Sequence, residues 1–113
     1  MEKIKEISAS SGRLNITLSL SREGSDCFVL VTGGLAHLGA AGYACGGKKI
    51  FSANFPGHRD QSVVDAVIEE IAPAVRGNLV VTAGIHYNRI TQDEIGRVLE
   101  MSRRLAGMAG ALL

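Results

Sequence analysis

Three histidines carry most of the chemical potential of this chain, and each stands close to glycine. The segments are Thr32-Gly33-Gly34-Leu35-Ala36-His37-Leu38-Gly39, Pro56-Gly57-His58-Arg59-Asp60 and Ala83-Gly84-Ile85-His86-Tyr87-Asn88. Imidazole supplies a donor, a proton or a metal bond near neutral pH. Glycine bares backbone amides to a bound anion or a planar ring. The shared pattern predicts a binding site drawn from Gly33, Gly34, His37, Gly57, His58, Arg59, Gly84, His86 and Asn88. His58 has the clearest local rationale. It falls at the mouth of an expected helix, where unbonded amides and the helix dipole attract phosphate or carboxylate. Arg59 can add a bidentate contact. Lys48-Lys49 is a second positive pair, although it reads more readily as a solvated hairpin tip.

The same residues admit a different chemistry. His37, His58 and His86 could together form an open, catalytic-type metal site that activates water or a carbonyl. Their spacing along the chain neither supports nor excludes it. The acids offer no evident acid–base pair, because Asp60 reads as a helix N-cap and Glu94 as half of a capping box. Gly34-Leu35-Ala36-His37-Leu38-Gly39 has the glycine spacing of a phosphate loop, but Ala40-Ala41 stand where Lys and Ser/Thr are needed. GxGxxG, HExxH and GxSxG patterns are all missing from the sequence.

Composition narrows the class. The 113 residues suit one domain spanning 1–113, and 46% hydrophobic with 20% charged residues suits a packed core. Twelve Lys+Arg against eleven Asp+Glu give a formal charge of +1, which leaves nucleic-acid binding without an electrostatic basis. No apolar run is long enough for a membrane-spanning helix, and the charged start Met1-Glu2-Lys3-Ile4-Lys5-Glu6 does not read as a signal peptide, so the cytoplasm is the expected location. Cys27 and Cys45 lie in apolar, strand-like contexts and read as reduced core thiols. Glycine is the compositional outlier: seven of the 14 fall between Gly33 and Gly57, a local bias that marks backbone bending or close approach.

The elements that must position these residues follow from periodicity. Leu14–Ser21 alternates as a half-buried strand, and Arg22–Asp26 reads as a hairpin loop. Cys27–Val31 is apolar throughout, which predicts burial on both faces. Ala36–Cys45 and Ile50–Phe55 read as further strands, the four joined by short antiparallel connections. Pro56–Arg59 is a turn. A helix follows, with Val64, Val67, Ile68 and Ile71 on its buried stripe, ended by Pro73. Asn78–Ala83 is a buried strand. Thr91 and Glu94 open a second helix whose stripes are Ile95, Val98, Leu99 and Leu105, then Met101, Leu105, Met108 and Leu112. The apolar tail Leu105–Leu113 predicts a subunit contact, hence a homo-oligomer, with end fraying as the alternative. The order β-β-β-β-α-β-α predicts an α+β fold: a mainly antiparallel sheet of about five strands with two helices on one face.

The combination of Thr32-Gly33-Gly34, Ala36-His37-Leu38-Gly39-Ala40, Pro56-Gly57-His58 and Ala83-Gly84-Ile85-His86, followed by Ile90-Thr91 and Glu94-Ile95, resembles the LpdD-like prenylated-flavin chaperone family over roughly residues 14–99. The order and spacing of these motifs carry the resemblance, since none is specific alone. It implies a non-catalytic accessory protein that holds prenylated FMN and helps load it into a UbiD-type decarboxylase. The stretch after the last histidine often carries an acid in that family, whereas here it reads Tyr87-Asn88-Arg89, which counts against a proton-handling or metal role for this segment. Such a flavin needs an anion-binding corner and a flat, mostly apolar slot. Pro56–Asp60 offers the corner, and Tyr43, Phe55 and Tyr87 are candidates to stack on the ring.

Overall fold

The computed structural model describes residues 2–113, apart from the side chain of Ile4. Among them run β1 (Glu2–Ser11), β2 (Leu14–Glu23), β3 (Asp26–Gly34), β4 (Ala40–Cys45), β5 (Lys48–Asn54), α1 (Gln61–Ile71), a 3-10 turn at Ala72–Ala74, β6 (Asn78–His86) and α2 (Gln92–Gly110). The expected α+β class, two helices and mainly antiparallel sheet are present. The strand count is not about five: the sheet has six strands, ordered β1-β2-β3-β6-β4-β5. The extra strand is β1, whose Lys3, Lys5 and Glu6 hide the alternation. Charges of this kind are what an edge strand carries to discourage pairing with another chain.

The connections differ from expectation in one important place. β3 and β4 do not pair. β6 inserts between them, parallel to β3 (Val29↔Val81, Val31↔Ala83) and antiparallel to β4 (Ala40↔Ala83, Ala44↔Leu79). The continuous apolar runs in β3 and β6 therefore belong to adjacent central strands. The strand expected from Ala36 begins only at Ala40, leaving Leu35–Gly39 as a crossing segment.

Register places Leu14, Ile16, Leu18, Leu20, Val29, Val31, Leu79, Val81, Ala40 and Ala44 on one face, all buried. Helix α1 covers the β4–β5–β6 side of that face and α2 the β1–β2 side. Val64, Val67, Ile68 and Ile71 of α1 are buried as their spacing predicts. Pro73 falls just after the helix ends, inside the 3-10 turn. In α2 the Thr91–Glu94 capping box is formed in full. Ile95 departs from the expected stripe and is 44% exposed, while Val98, Met101 and Leu105 are buried and Met108 and Leu112 reach solvent. Cys27 is a free core thiol, pushed up in pKa by burial, but Cys45 is exposed at the end of β4, not in the core.

Candidate functional site: a histidine-lined cavity

His58 is presented by the turn Phe55-Pro56-Gly57-His58. Its N–H donates to Phe55 O at 3.0 Å, and Gly57 has φ 81°. Proline in second place and a positive-φ glycine in third are what a type II turn requires. His37 lies on the crossing segment, pinned over the end of β6 by Leu35 N–H to His86 O (3.0 Å) and Gly39 N–H to Ala83 O (2.8 Å). Glycine is obligatory beneath it, since a Cβ on residue 84 would collide with the His37 carbonyl. His86 ends β6 beside this crossing.

The three rings meet. His37 stacks on His58 with centroids 4.8 Å apart and planes 25° from parallel. His86 meets His37 edge-on at 5.9 Å and 88°. His37 Nδ1 lies 3.1 Å from Leu35 O; a carbonyl can only accept, so Nδ1–H donates. On the other side Nε2 is 3.4 Å from Asp60 Oδ2, an ion pair whenever the ring is protonated. That carboxylate oxygen also accepts from Ile85 N–H at 3.3 Å. Asp60 thus stands at the helix N-cap position without capping through its side chain. The amide of Gln61 is satisfied instead by Asn54 Oδ1 at 2.8 Å. The expected cap has been diverted to fasten His37 to β6.

Around the rings lies a cavity of about 520 Å³, within the usual size of small-molecule sites, roughly 300–1,000 Å³. His37, Gly57, His58, Arg59, Asp60, Ser62, His86 and Gln92 form its polar wall; Val63, Ile85, Ile90, Ile95, Val98 and Leu99 form the apolar one. Both helices begin at this cavity, through Asp60, Ser62 and Val63 for α1 and Gln92 and Ile95 for α2. The positive ends of two helix dipoles therefore border it, beside the Arg59 guanidinium.

Of the residues singled out in the sequence, His37, Gly57, His58, Arg59 and His86 line the cavity. Gly84 lies under its floor, where it permits the crossing. Gly33 and Gly34 face a separate hollow of about 450 Å³ with Arg13, Thr17, Thr32 and Tyr87. There Gly34 has φ 69°, and a Cβ on it would strike the His86 carbonyl. Asn88 is exposed, and its carbonyl accepts from Arg13 Nη2 at 2.8 Å. Tyr87 faces away too: its hydroxyl accepts from Asn15 N–H at 2.8 Å and donates to Asn15 O at 3.1 Å. Tyr43 and Phe55 are likewise outside the cavity lining, so none of the three candidate aromatics is placed to stack on a ligand there.

Asp60 and the apolar wall escaped the sequence reading. Ile95 and Leu99 recur at i and i+4 and read as core, although half-exposed Ile95 faces a hollow. Among the described residues, no three His, Cys, Asp or Glu side chains are grouped to hold a metal ion. The stacked arrangement explains this, because parallel imidazoles turn faces to one another rather than converging nitrogen lone pairs.

Fold and cavity together define a small α+β module with a hollow whose polar histidine wall is set against an aliphatic one. A family model described as "Prenylated flavin chaperone LpdD-like domain" matches residues 10–111, and the chain belongs to that family. No curated protein matches the chain. Its fold is similar to a chain in a crystal structure of a chaperone complex for yeast 20S proteasome assembly, with a TM-score of 0.58, 10% identity and 95% of each chain covered. At that identity the likeness is one of fold alone. No helix among the described residues is long and apolar enough to cross a membrane.

Proposed function

We propose that the protein holds prenylated FMN in the histidine cavity without transforming it, and releases it to a UbiD-type decarboxylase in the cytoplasm. The observation that carries this reading is the meeting of three sequence-distant imidazoles on one cavity whose opposite wall is aliphatic. The family membership supports the cofactor class. The donor set suits such a ligand. Arg59, His58 and Ser62 beside the start of α1 make an anion corner for a phosphate, and Ile90, Ile95 and Leu99 offer a surface for a flat ring and its prenyl-derived carbons. Asp60 is turned towards His37 Nε2 and accepts from Ile85 N–H, at the base of α1. Gly34 and Gly84 serve by permitting the backbone crossings that hold His37 and His86 in place, Gly33 by leaving room for Ile16 and the Tyr87 hydroxyl, and Asn88 by fixing the exit of β6 through Arg13. A holding protein needs no acid–base pair, and Asp60–His37 is occupied in positioning. The working form is a homo-oligomer.

Titration of the purified protein with FMN and with prenylated FMN tests the reading. Binding is expected in the micromolar range, weakened at least tenfold by His58→Ala and by Arg59→Ala, whose side chains contribute little to the core. The loaded protein is expected to activate a cofactor-free UbiD-type decarboxylase faster than an equal amount of free cofactor. Absence of binding below about millimolar for both flavins would overturn the proposal.

A further inference from the structure

The polar side chains lining the histidine cavity divide into those committed to the protein and those left for a ligand. His37 and Asp60 are committed, to Leu35 O, to each other and to the Ile85 amide. The side chains of His58, Arg59, Ser62, His86 and Gln92 hydrogen-bond no protein group among the described residues. Gln92 differs in kind from the other four, because a carboxamide fixes a donor and an acceptor side by side in one plane. A comparison within the fold shows that its freedom is not a property of its position. Gln61 opens α1 and Gln92 opens α2, each directly after the N-cap residue. Gln61 is tied to β5: its Nε2 donates to Ser52 O at 3.2 Å and Ser52 Oγ at 3.0 Å, and its Oε1 accepts from Asn54 Nδ2 at 3.4 Å. Gln92 has no such partner, and α2 needs none from it, because Thr91 and Glu94 close that helix end between themselves.

We propose that Gln92 is the specificity-determining residue of the cavity: its Nε2–H donates to a ring carbonyl of the ligand and its Oε1 accepts from the adjoining ring N–H. The ligand class is then a phosphorylated heterocycle with a cyclic imide edge, which the pyrimidinedione ring of a flavin carries. The inference rests on the flavin-holding reading above. It adds a direction, with the phosphate at the start of α1 beside Arg59 and the imide at the start of α2. The surroundings of Gln92 select a neutral edge over a charged one. It shares its wall with Ile90, Ile95, Val98 and Leu99, and the one acid beside it in the chain, Asp93, is turned to Arg97 at 3.0 Å. Water serves the carboxamide while the cavity is open. A ring laid on the aliphatic wall displaces that water, so a ligand without a matching edge leaves a donor and an acceptor unpaired and is rejected.

Wild type, Gln92→Leu and Asp93→Asn are titrated with prenylated FMN, reduced and oxidised, and the carbonyl stretching bands of the bound flavin are followed by difference infrared spectroscopy. Gln92 is exposed and outside the core, so circular dichroism of the variants is expected to match wild type. Gln92→Leu is expected to weaken binding about fivefold to tenfold, the loss of one or two neutral hydrogen bonds, and to move a flavin carbonyl band to higher wavenumber. Asp93→Asn, outside the cavity lining, is expected to bind within about twofold of wild type with its bands unmoved. Unchanged affinity and unmoved bands in Gln92→Leu would overturn the inference and leave the holding reading standing. Weakened binding with unmoved bands would overturn it as well, since that is the mark of a structural contribution. Failure of the wild-type protein to bind either form would overturn the holding reading and this inference together.

Discussion

At the scale of single residues, the site depends on side chains that are missing as much as on those present. Gly84 and Gly39 hold the crossing segment from opposite sides, since a methyl at 84 would strike the His37 carbonyl and one at 39 the Asp60 carboxylate. Gly84→Ala is expected to cost about 1–3 kcal/mol in urea unfolding and to weaken flavin binding at least tenfold by displacing His37. Gly96→Ala, on an open stretch of α2 with nothing near the added Cβ, is the control, expected to stabilise by about 0.5–1 kcal/mol. The histidines were legible in the sequence because their surroundings repeat. Asp60 was not, because an acid just before a helix has an ordinary explanation, and only the fold reveals that Asn54 has taken the capping role.

Glu94 belongs to this scale as well. Its carboxylate accepts from Arg13 Nε at 2.8 Å and Nη2 at 2.9 Å and from Thr91 N–H at 3.1 Å. The Arg13 bonds foremost, then the Thr91 amide, lower its pKa from 4.5 to about 2. A carboxylate with a depressed folded-state pKa binds fewer protons folded than unfolded, so it adds stability above its unfolded value. That contribution is lost as the pH falls from about 4.5 towards 2. Denaturant melts across this window are expected to show a shallower acid loss for Glu94→Gln than for wild type, with the largest difference between the two at neutral pH.

At the scale of elements, local pattern identified β2, β3, β5, β6 and both helices, and β4 with its start placed four residues early, with the Pro73 stop and the Thr91–Glu94 box in their expected places. It missed β1, where charged residues suited to a sheet edge mask the period of two. It also missed that β6 parts β3 from β4, because the order of strands in a sheet is decided by non-local pairing. The doubly apolar composition of β3 and β6 was the available clue, marking both as central. β1 sits at the far edge of the sheet from β6, held by β2 and by Arg97 Nη1 of α2 donating to Ser11 Oγ at 2.8 Å. A chain lacking residues 1–9 is expected to melt several degrees lower, yet to bind flavin within about threefold of the full chain, since no cavity residue lies on β1. Thermal melts and fluorescence titration check the two halves of that statement.

At the scale of the whole molecule, strand β6 is the member through which everything else is joined. It bonds to β3 on one side and β4 on the other, delivers His86, and lies under the segment that carries His37. Without it the sheet separates into a three-stranded meander, β1 to β3, and a β4–β5 hairpin with no shared border. The two pieces are contiguous in sequence and are united only by residues 78–86, which come after both. Assembly of the histidine trio and closure of the sheet thus depend on the same nine residues, which join the two pieces and bring His86 up to His37.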